Sequence, residues 1–297
     1  MAYSSCRLSN SIYRFMPDGI MDRPVSVTGK GNGCCDSGDD VWDEMCAEVQ
    51  EDAEAEPLVG MFYAGLVLSR PSLEAALAAH LAAKLCIPGA LPQGTLRDLL
   101  AGALEAHPEA SRDTRADLLA VRDRDPACAK MVHCFLYNKG FLALQAHRAA
   151  HALWSEGRTA AALLLQSRAS EVFGVDIHPG ARIGGGIMLD HATGVVIGET
   201  AVVEDDVSIL HAVTLGGTRK VSGDRHPKVG DGVLIGAGPS VLGNVRIGDG
   251  AKIGAGAACS ETCLAEPRPR RSGSSRRHSG GRKTSQVSPW SRGGPIT

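Results

Sequence analysis

The chain has 297 residues, enough to bury the core of one large domain or two ordinary ones without help from disulfides or a metal ion. Residues 264–297 carry eight Arg or Lys against one Glu, so the net charge of −2 leaves about −9 on the rest, which argues against nucleic acid as the main partner. Nine cysteines without zinc-type spacing, and no apolar run of membrane-spanning length, argue against a zinc site, a disulfide framework and a membrane protein.

The part of the chain before the first repeat divides into a leader and a helical region. Residues 1–40 contain Gly and Ser without apolar periodicity and predict a flexible leader. Residues 41–172 predict a bundle of helices, with breaks at Asp125-Pro126 and at Gly157. In RPSLEAALAAHLAAKLC a leucine recurs at every fourth position: Leu73, Leu77, Leu81 and Leu85. A helical bundle by itself implies no chemistry.

From residue 173 to residue 260 an aliphatic residue recurs at every sixth position, a period of neither an α-helix nor a simple strand. These positions are Ile177, Ile183, Leu189, Val195, Ala201, Val207, Val213, Val229, Ile235, Val241, Ile247 and Ile253. Such hexapeptide repeats predict a parallel β-helix, in which each repeat forms one side of a triangular coil and points its aliphatic residue inward. The fold class is therefore a helical bundle followed by a β-solenoid.

Two departures from the repeat are expected to lie outside the coil. The step from Val213 to Val229 is sixteen residues, so we expect ten residues to extrude as a polar loop carrying Arg225 and His226. After Ile253 the repeat positions reach Arg271 and Arg277, and a guanidinium inside a narrow apolar coil would be costly to desolvate. The solenoid should end near residue 260, and residues 261–297 predict a disordered basic tail.

An ionisable pair, Asp190 and His191, follows the inward-facing Leu189 and is expected near a corner of the coil. An imidazole titrates near neutrality and can take a proton from an alcohol. Asp176, fifteen residues earlier, should lie one coil below, within reach as an orienting carboxylate. This spacing fits a catalytic dyad of His191 and Asp176 and fits a surface histidine with acidic neighbours equally well.

Three further polar residues have two interpretations each. Arg225 and His226 form a cationic patch that suits a carboxylate, but a solvated loop explains them as well. Asp125 stands before Pro126, where the N-cap of a helix is the ordinary explanation.

The stretch VDIHPGARIGGGIMLDHATGVVIGETAVVEDDVSIL, together with GDRHPK, RDRDPA and NKGFLALQAHR, closely resembles the serine O-acetyltransferases, above all the plant-type forms. The resemblance runs from about residue 56 to residue 258. It implies a helical oligomerisation domain, residues 41–172, and a left-handed β-helix acetyltransferase domain, residues 173–260. It also implies trimers that pair into hexamers through the helices.

The resemblance assigns roles to matching positions. His191 matches the general base, and Asp176 matches its orienting partner. Four residues match the groups that hold the ammonium and carboxylate of serine: Asp125, Asp190, Arg225 and His226. Three backbone positions match the lining of the acetyl-CoA groove between adjacent subunits: Gly217, Ala237 and Ala255.

The implied reaction transfers the acetyl group of acetyl-CoA to the hydroxyl of L-serine, with acetyl-CoA as co-substrate and no metal. Two alternatives stay open: an acetyltransferase for another alcohol, and a catalytically impaired subunit that regulates the oligomer. The family's C-terminal segment that docks O-acetylserine (thiol)-lyase is not matched after Ala258, so that partnership is not expected to carry over.

The first seventeen residues contain Arg7, Arg14 and several Ser without an acid, as in an organellar transit peptide, but Asp18 and Asp22 interrupt the pattern. We predict a cytoplasmic protein, with the plastid as the alternative.

Overall fold

The structure is a computed structural model that describes residues 39–218 and 222–259. Nearly all of the predicted leader and the whole predicted tail, residues 261–297, lie outside the described residues. Arg219 and Lys220 of the predicted loop lie outside them too.

The first part of the described chain is helical, as predicted. The helices are α1 (Asp40–Ala55), α2 (Pro57–Tyr63) with a π-helical turn (Ala64–Leu68), α3 (Leu73–Leu85), α4 (Gln93–Glu105), α5 (Pro108–Arg124), α6 (Met131–Tyr137), α7 (Lys139–Ser155) and α8 (Thr159–Phe173). Ser72 accepts a hydrogen bond from the backbone N–H of Ala75 and so caps α3. The four leucines of α3 are all at most 1% exposed, which confirms the predicted apolar stripe.

The interpretation of Asp125 as a helix N-cap is wrong. Asp125 follows the last residue of α5, and its backbone N–H closes that helix by donating to the carbonyl of Val121 at 2.8 Å. Its carboxylate accepts from the backbone N–H of Ala127 at 2.9 Å, within the turn that leads to α6. Pro126 prevents α5 from continuing, because it has no N–H to donate.

The second part is a left-handed β-helix of short parallel strands. The strands are β1 (Asp176–Ile177), β2 (Arg182–Ile183), β3 (Met188–Leu189), β4 (Val196–Ile197), β5 (Val202–Val203), β6 (Ser208–Ile209), β7 (Thr214–Gly216), β8 (Lys228–Val229), β9 (Leu234–Ile235), β10 (Ser240–Leu242), β11 (Arg246–Ile247), β12 (Lys252–Ile253) and β13 (Ala258–Cys259). They stack into three flat sheets, in the orders β1-β4-β7-β10-β13, β2-β5-β8-β11 and β3-β6-β9-β12. Each sheet is one side of the triangular coil, as predicted.

The predicted register holds for β1 to β3 and for β8 to β12, and from β4 to β7 the strands lie two residues later than predicted. Asp176 pairs with Val196, twenty residues later, and Val196 pairs with Thr214, eighteen residues later. The first coil is therefore two residues longer than the second. The two extra residues of the first coil fall between Leu189 and Ile197. From there the strands centre on Ile197, Val203, Ile209 and Leu215. The predicted positions two residues earlier are buried as well, because they fill the corners of the coil.

The extruded loop is shorter than predicted. Thr214 pairs with Ser240, twenty-six residues later, and Ser240 pairs with Ala258, eighteen residues later. The coil that contains the loop is therefore eight residues longer than the next coil. Eight residues, not ten, are therefore extra between β7 and β8. The predicted ten were counted from Val213, whereas the inward-facing residue of β7 is Leu215, two residues later.

A buried ion pair joins the helices to the solenoid. Asp117 of α5 is fully buried and accepts from the guanidinium of Arg148 of α7 at 2.8–3.0 Å. The same Asp117 carboxylate accepts from the backbone N–H of Ile187 at 2.8 Å, and Arg148 donates to the carbonyls of Ile183 and Gly184. The pair thus binds backbone groups of the first coil directly.

Helix α7 also approaches the coil closely at its first turn. A Cβ at Gly140 would overlap the backbone carbonyl of Leu189, so only glycine permits this approach. Lys139 donates to the hydroxyl of Thr193. The helix therefore contacts the coil on both sides of Asp190 and His191.

Candidate active site

His191 lies on the two-residue insertion of the first coil. The backbone of Asp190 still makes a regular coil bond, its N–H donating to Ile209 at 2.8 Å. His191 and Ala192 then adopt φ values of 55° and 58°, the left-handed region that non-glycine residues rarely occupy. This turn projects the imidazole out of the coil, where its side chain is 76% exposed. The sequence predicted the corner but not the insertion that produces it.

The carboxylates near His191 differ in their contacts. Asp190 Oδ1 lies 3.8 Å from His191 Nε2. Asp176 Oδ1 instead accepts from Gln166 Nε2 of α8 at 2.7 Å, and within the described residues no hydrogen bond joins Asp176 to His191. The dyad of His191 and Asp176 therefore stays a prediction.

His191 begins a column of corner residues that runs along one edge of the solenoid. The ring of His211, one coil further, meets the His191 ring edge-on at 5.9 Å between centroids. Backbone hydrogen bonds continue the column, from Gly238 to the carbonyl of His211 and from Gly256 to the carbonyl of Ala237. Two of the predicted acetyl-CoA positions, Ala237 and Ala255, therefore share the edge of His191; we call it the His191 edge.

Arg225 and His226 lie on a different edge, at the corner between β7 and β8. Arg225 donates to the carboxylate of Glu199 at 2.5 Å, and this bond lowers the pKa of Glu199. Gly217, the third predicted acetyl-CoA position, is at this corner as well, because a Cβ there would lie 3.3 Å from side-chain atoms of both residues. We call this corner the Arg225 edge. The sheet β1-β4-β7-β10-β13 separates it from the His191 edge.

Thr200 fixes the tautomer of His226. Its backbone N–H donates to His226 Nδ1 at 3.2 Å, and its hydroxyl lies 2.8 Å from the same nitrogen. The hydroxyl oxygen accepts from the backbone N–H of Arg225 at 3.0 Å, so its own hydrogen is free to reach Nδ1. Burial, and then the charge of Arg225, lower the pKa of His226. His226 is thus a neutral imidazole that presents Nε2–H as a hydrogen-bond donor.

Glu199 and Thr200 orient the two basic residues and were not predicted from the sequence. Both lie in the preceding coil. Glu199 occupies the same corner position in that coil as Gly217 does in the next one. Counting one coil back from Gly217 would have identified them once the corner register was known.

Glycine at position 198 makes room for the His226 ring. A Cβ at Gly198 would overlap Nε2 and Cδ2 of that ring. We expect Gly198→Ala to displace His226 from Thr200 and, if His226 binds a substrate as predicted, to raise the KM for that substrate by about tenfold, the equivalent of about 1.4 kcal/mol. Steady-state kinetics measure this effect.

Gly254→Ala is the matched control, because Gly254 follows the last residue of β12 as Gly198 follows the last residue of β4, and a Cβ there meets open space. An unchanged KM in Gly198→Ala would contradict a binding role for His226.

Asp125, the remaining predicted site residue, is half-buried in the turn between α5 and α6. Its neighbour Arg124 donates to the carbonyls of Gly186 and Asp206, each at 3.0 Å, which holds this turn against the solenoid. Over residues 39–218 and 222–259, no group of three or more His, Cys, Asp or Glu side chains is arranged to hold a metal ion.

Comparison with known proteins identifies the family. The profile "Serine acetyltransferase, N-terminal" matches residues 41–146, and the profile "Bacterial transferase hexapeptide (six repeats)" matches residues 226–260. The chain is 76% identical over 243 residues to probable serine acetyltransferase 3 of Oryza sativa subsp. japonica, a match that covers 82% of this chain and 80% of the rice protein. The chain belongs to the serine acetyltransferase family.

Solved structures of serine acetyltransferases share this fold. The soybean serine acetyltransferase complexed with serine is 54% identical, with a TM-score of 0.71, and the match covers 75% of this chain and 92% of the soybean chain. The Brucella abortus serine acetyltransferase in complex with coenzyme A is 50% identical, with a TM-score of 0.74, and the match covers 76% and 90% of the two chains.

Two relatives in the serine acetyltransferase family are named for different cellular compartments. The Arabidopsis thaliana forms named chloroplastic and mitochondrial are 60% and 58% identical, each over 70% of this chain and over 66% and 53% of their own lengths. In the part of the chain that the structure describes, no helix is both long and apolar enough to cross a membrane.

Proposed function

We propose that this chain transfers the acetyl group of acetyl-CoA to the hydroxyl of L-serine, giving O-acetylserine and CoA. The observation that carries the proposal is the pair of edges. One edge exposes an imidazole beside a carboxylate, and the other holds a half-buried guanidinium beside a buried imidazole donor. An amino acid that reacts through its hydroxyl needs these groups. Relatives solved with serine and with coenzyme A support the same substrates.

In the proposed reaction His191 acts as the general base. Its imidazole takes the proton of the serine hydroxyl as the serine oxygen forms a bond to the thioester carbonyl carbon. The resulting oxyanion collapses, the bond from carbon to sulfur breaks, and the CoA thiolate takes the proton back from His191. Asp176 keeps its predicted role as the orienting partner of His191; its Oδ1 accepts from Gln166, and a carboxylate has a second oxygen that can accept from the imidazole.

The remaining predicted residues hold the two substrates. Arg225 and the Nε2–H of His226 bind the serine carboxylate, since both are donors and the guanidinium carries a charge. Asp125 and Asp190 bind the ammonium group. Acetyl-CoA lies in a groove lined by three backbone positions: Gly217, Ala237 and Ala255.

The position of the two edges implies a homo-oligomer. His191 and Arg225 lie on edges of one rigid coil that a sheet keeps apart, so one chain alone does not close the site around a molecule as small as serine. A second copy that places its Arg225 edge against the His191 edge completes the site, and a closed ring of three copies repeats this contact without a free end. Residues 41–172 then serve assembly and residues 173–260 carry the acetyltransferase site.

The experiment measures thiol release from acetyl-CoA by the purified chain, with L-serine, with other alcohols and without acceptor. We expect release that depends on L-serine. Release that depends equally on another alcohol would support an acetyltransferase of broader or different specificity, and no release from a folded oligomer would support the regulatory subunit.

Mixing two inactive variants tests whether the site is shared. His191→Asn and Arg225→Ala are each expected to be inactive alone, because each lacks one edge. In randomly mixed oligomers about a quarter of the shared sites pair an intact His191 edge with an intact Arg225 edge. Recovery of activity after unfolding and refolding the two together supports the shared site, whereas no recovery would place the whole site within one chain.

The predictions of the compartment and of the lyase partner depend on residues outside the described ranges. We propose the cytoplasm, with the plastid as the alternative, since a relative named chloroplastic exists. Expression of the full chain fused to a fluorescent protein at its C-terminus tests the compartment. The predicted absence of O-acetylserine (thiol)-lyase docking depends on residues beyond 259 and stays a prediction.

A further inference from the structure

Arg124, the last residue of α5, joins the turn that bears Asp125 to the solenoid. Its Nη1 donates to the carbonyls of Gly186 and Asp206, each at 3.0 Å, and to the hydroxyl of Ser208 at 3.3 Å. Its Nη2 donates to the carboxylate of Asp206 at 2.8 Å. Gly186 precedes β3 and Asp206 precedes β6, its neighbour in the same sheet, so one guanidinium binds two successive coils.

The solenoid is shaped to receive this arginine at Asp206. Asp206 has a φ of 62°, in the left-handed region that Asp adopts more readily than most residues. In this conformation its backbone carbonyl and its carboxylate both accept from Arg124. A Cβ at position 186 would lie 2.5 Å from the same carboxylate, so a residue larger than glycine there would push it away from the guanidinium. The Arg124 side chain is accordingly only 29% exposed.

The turn after Arg124 leaves one carboxylate oxygen of Asp125 for a ligand. Asp125 Oδ1 accepts from the backbone N–H of Ala127 at 2.9 Å, and within the described residues no hydrogen bond reaches Oδ2. The far end of the turn binds α1 instead of the solenoid, since Lys130 donates to the carboxylate of Asp52 at 2.6 Å. Arg124 is the neighbour of Asp125 along the chain, so its bonds to the solenoid set how far the Asp125 carboxylate stands from the coil.

We propose that Arg124 is a positioning residue for serine binding, which places the Asp125 carboxylate where it meets the ammonium group of the substrate. The inference rests on the proposed function, in which Asp125 and Asp190 hold that group. Arg124 binds Gly186, and β3 leads from Gly186 to Asp190, so the guanidinium ties the turn of one carboxylate to the strand that bears the other. Arg124 itself does not touch serine, because both of its terminal nitrogens are bound to the solenoid.

Steady-state kinetics of Arg124→Ala and Asp125→Asn test the proposal. We expect each variant to raise the KM for serine about tenfold, the usual size of a hydrogen bond to a charged group. The kcat should change less than about threefold, because the ammonium group is bound equally before and during acetyl transfer. Arg124→Lys should show an intermediate KM, since one ammonium cannot reach every acceptor of a guanidinium fork.

Arg122→Ala is the matched control. Arg122 lies two residues earlier in α5, and its guanidinium pairs with Glu44 of α1 at 3.2 Å. We expect an unchanged KM for serine in this variant. Thermal unfolding of every variant shows whether it is folded, and if Arg124→Ala does not fold, Arg124→Lys takes its place in the comparison below.

The double variant Arg124→Ala with Asp125→Asn tests whether Arg124 acts through Asp125. If it does, removing Arg124 adds little once the carboxylate is gone, and the KM for serine should stay within about twofold of Asp125→Asn alone. Multiplied effects in the double variant, or an unchanged KM in Arg124→Ala, would refute the positioning role and leave Asp125 in serine binding.

Two other results would overturn the inference through the function on which it rests. An unchanged KM for serine in Asp125→Asn would remove Asp125 from serine binding, and Arg124 would then have nothing to position. No serine-dependent release of CoA from the parent chain would overturn the proposed function itself.

Discussion

Replacing His191 with Asn is expected to reduce serine-dependent CoA release by about 10²- to 10⁴-fold, the usual contribution of a positioned general base. Asn cannot take the proton, yet it tolerates the positive φ of 55° better than most residues, so the turn should keep its shape. The imidazole is 76% exposed, and its loss should leave the unfolding temperature nearly unchanged. Thiol release and thermal unfolding of the same preparation measure both effects.

His211→Asn is the matched control for this variant. His211 occupies the corresponding corner one coil further and contacts the His191 ring, but it has no predicted role in proton transfer. We expect it to retain activity within a few-fold of the parent chain. Equal losses in both variants would assign the effect to the edge-on contact of the two rings, and full activity in His191→Asn would refute the general base.

The largest effect on stability is expected for Asp117→Ala. The substitution removes the carboxylate nearest to Arg148 and leaves that guanidinium buried, at 5% exposure, with only Asp113, at 3.4 Å, as a carboxylate partner within the described residues, while the N–H of Ile187 loses its acceptor. Breaking a buried pair in this way destabilises a protein by about 3–5 kcal/mol. At about 2–4 °C per kcal/mol, the unfolding temperature should fall by roughly 10 °C.

Two comparisons make the interpretation of Asp117→Ala secure. Asp98→Ala breaks an ion pair with Arg97 on the surface and should change the free energy of unfolding by less than about 1 kcal/mol. The double variant Asp117→Leu with Arg148→Met removes both charges and should recover much of the lost stability. A loss of under about 1 kcal/mol for Asp117→Ala would mean that Asp113 or water compensates the charge of Arg148.

The architecture could be predicted because each segment repeats its own signal. Leucines at every fourth position specify the buried stripe of α3, and aliphatics at every sixth position specify the coil. The register after Leu189 could not be predicted by counting sixes. Val195 and Ile197 are both aliphatic and both buried, so the pattern of hydrophobic residues fits either register equally well. Only the pairing of strands across coils distinguishes the two.

The site was harder to predict for the same physical reason. Its polar residues come from turns between strands and between helices, and these polar positions follow no regular period. Asp125 shows the limit most clearly. The dipeptide Asp-Pro suggests an N-cap, but the helix that matters is the one that ends there, and the carboxylate turns to Ala127 instead. The partners of Arg225 and His226 come from a neighbouring coil and become visible only in three dimensions.

The two-residue insertion at Asp190 and His191 leaves the later coils undisturbed: the pairing of β4 with β7 already returns to the regular step of three hexapeptides. Since each coil bonds only to its neighbours, an irregularity added at a corner is absorbed within one turn. The eight-residue insertion before Arg225 is absorbed in the same way. A solenoid of this kind can therefore gain chemistry by lengthening a corner without any change to its core. Its reactive groups could evolve, or be engineered, one coil at a time.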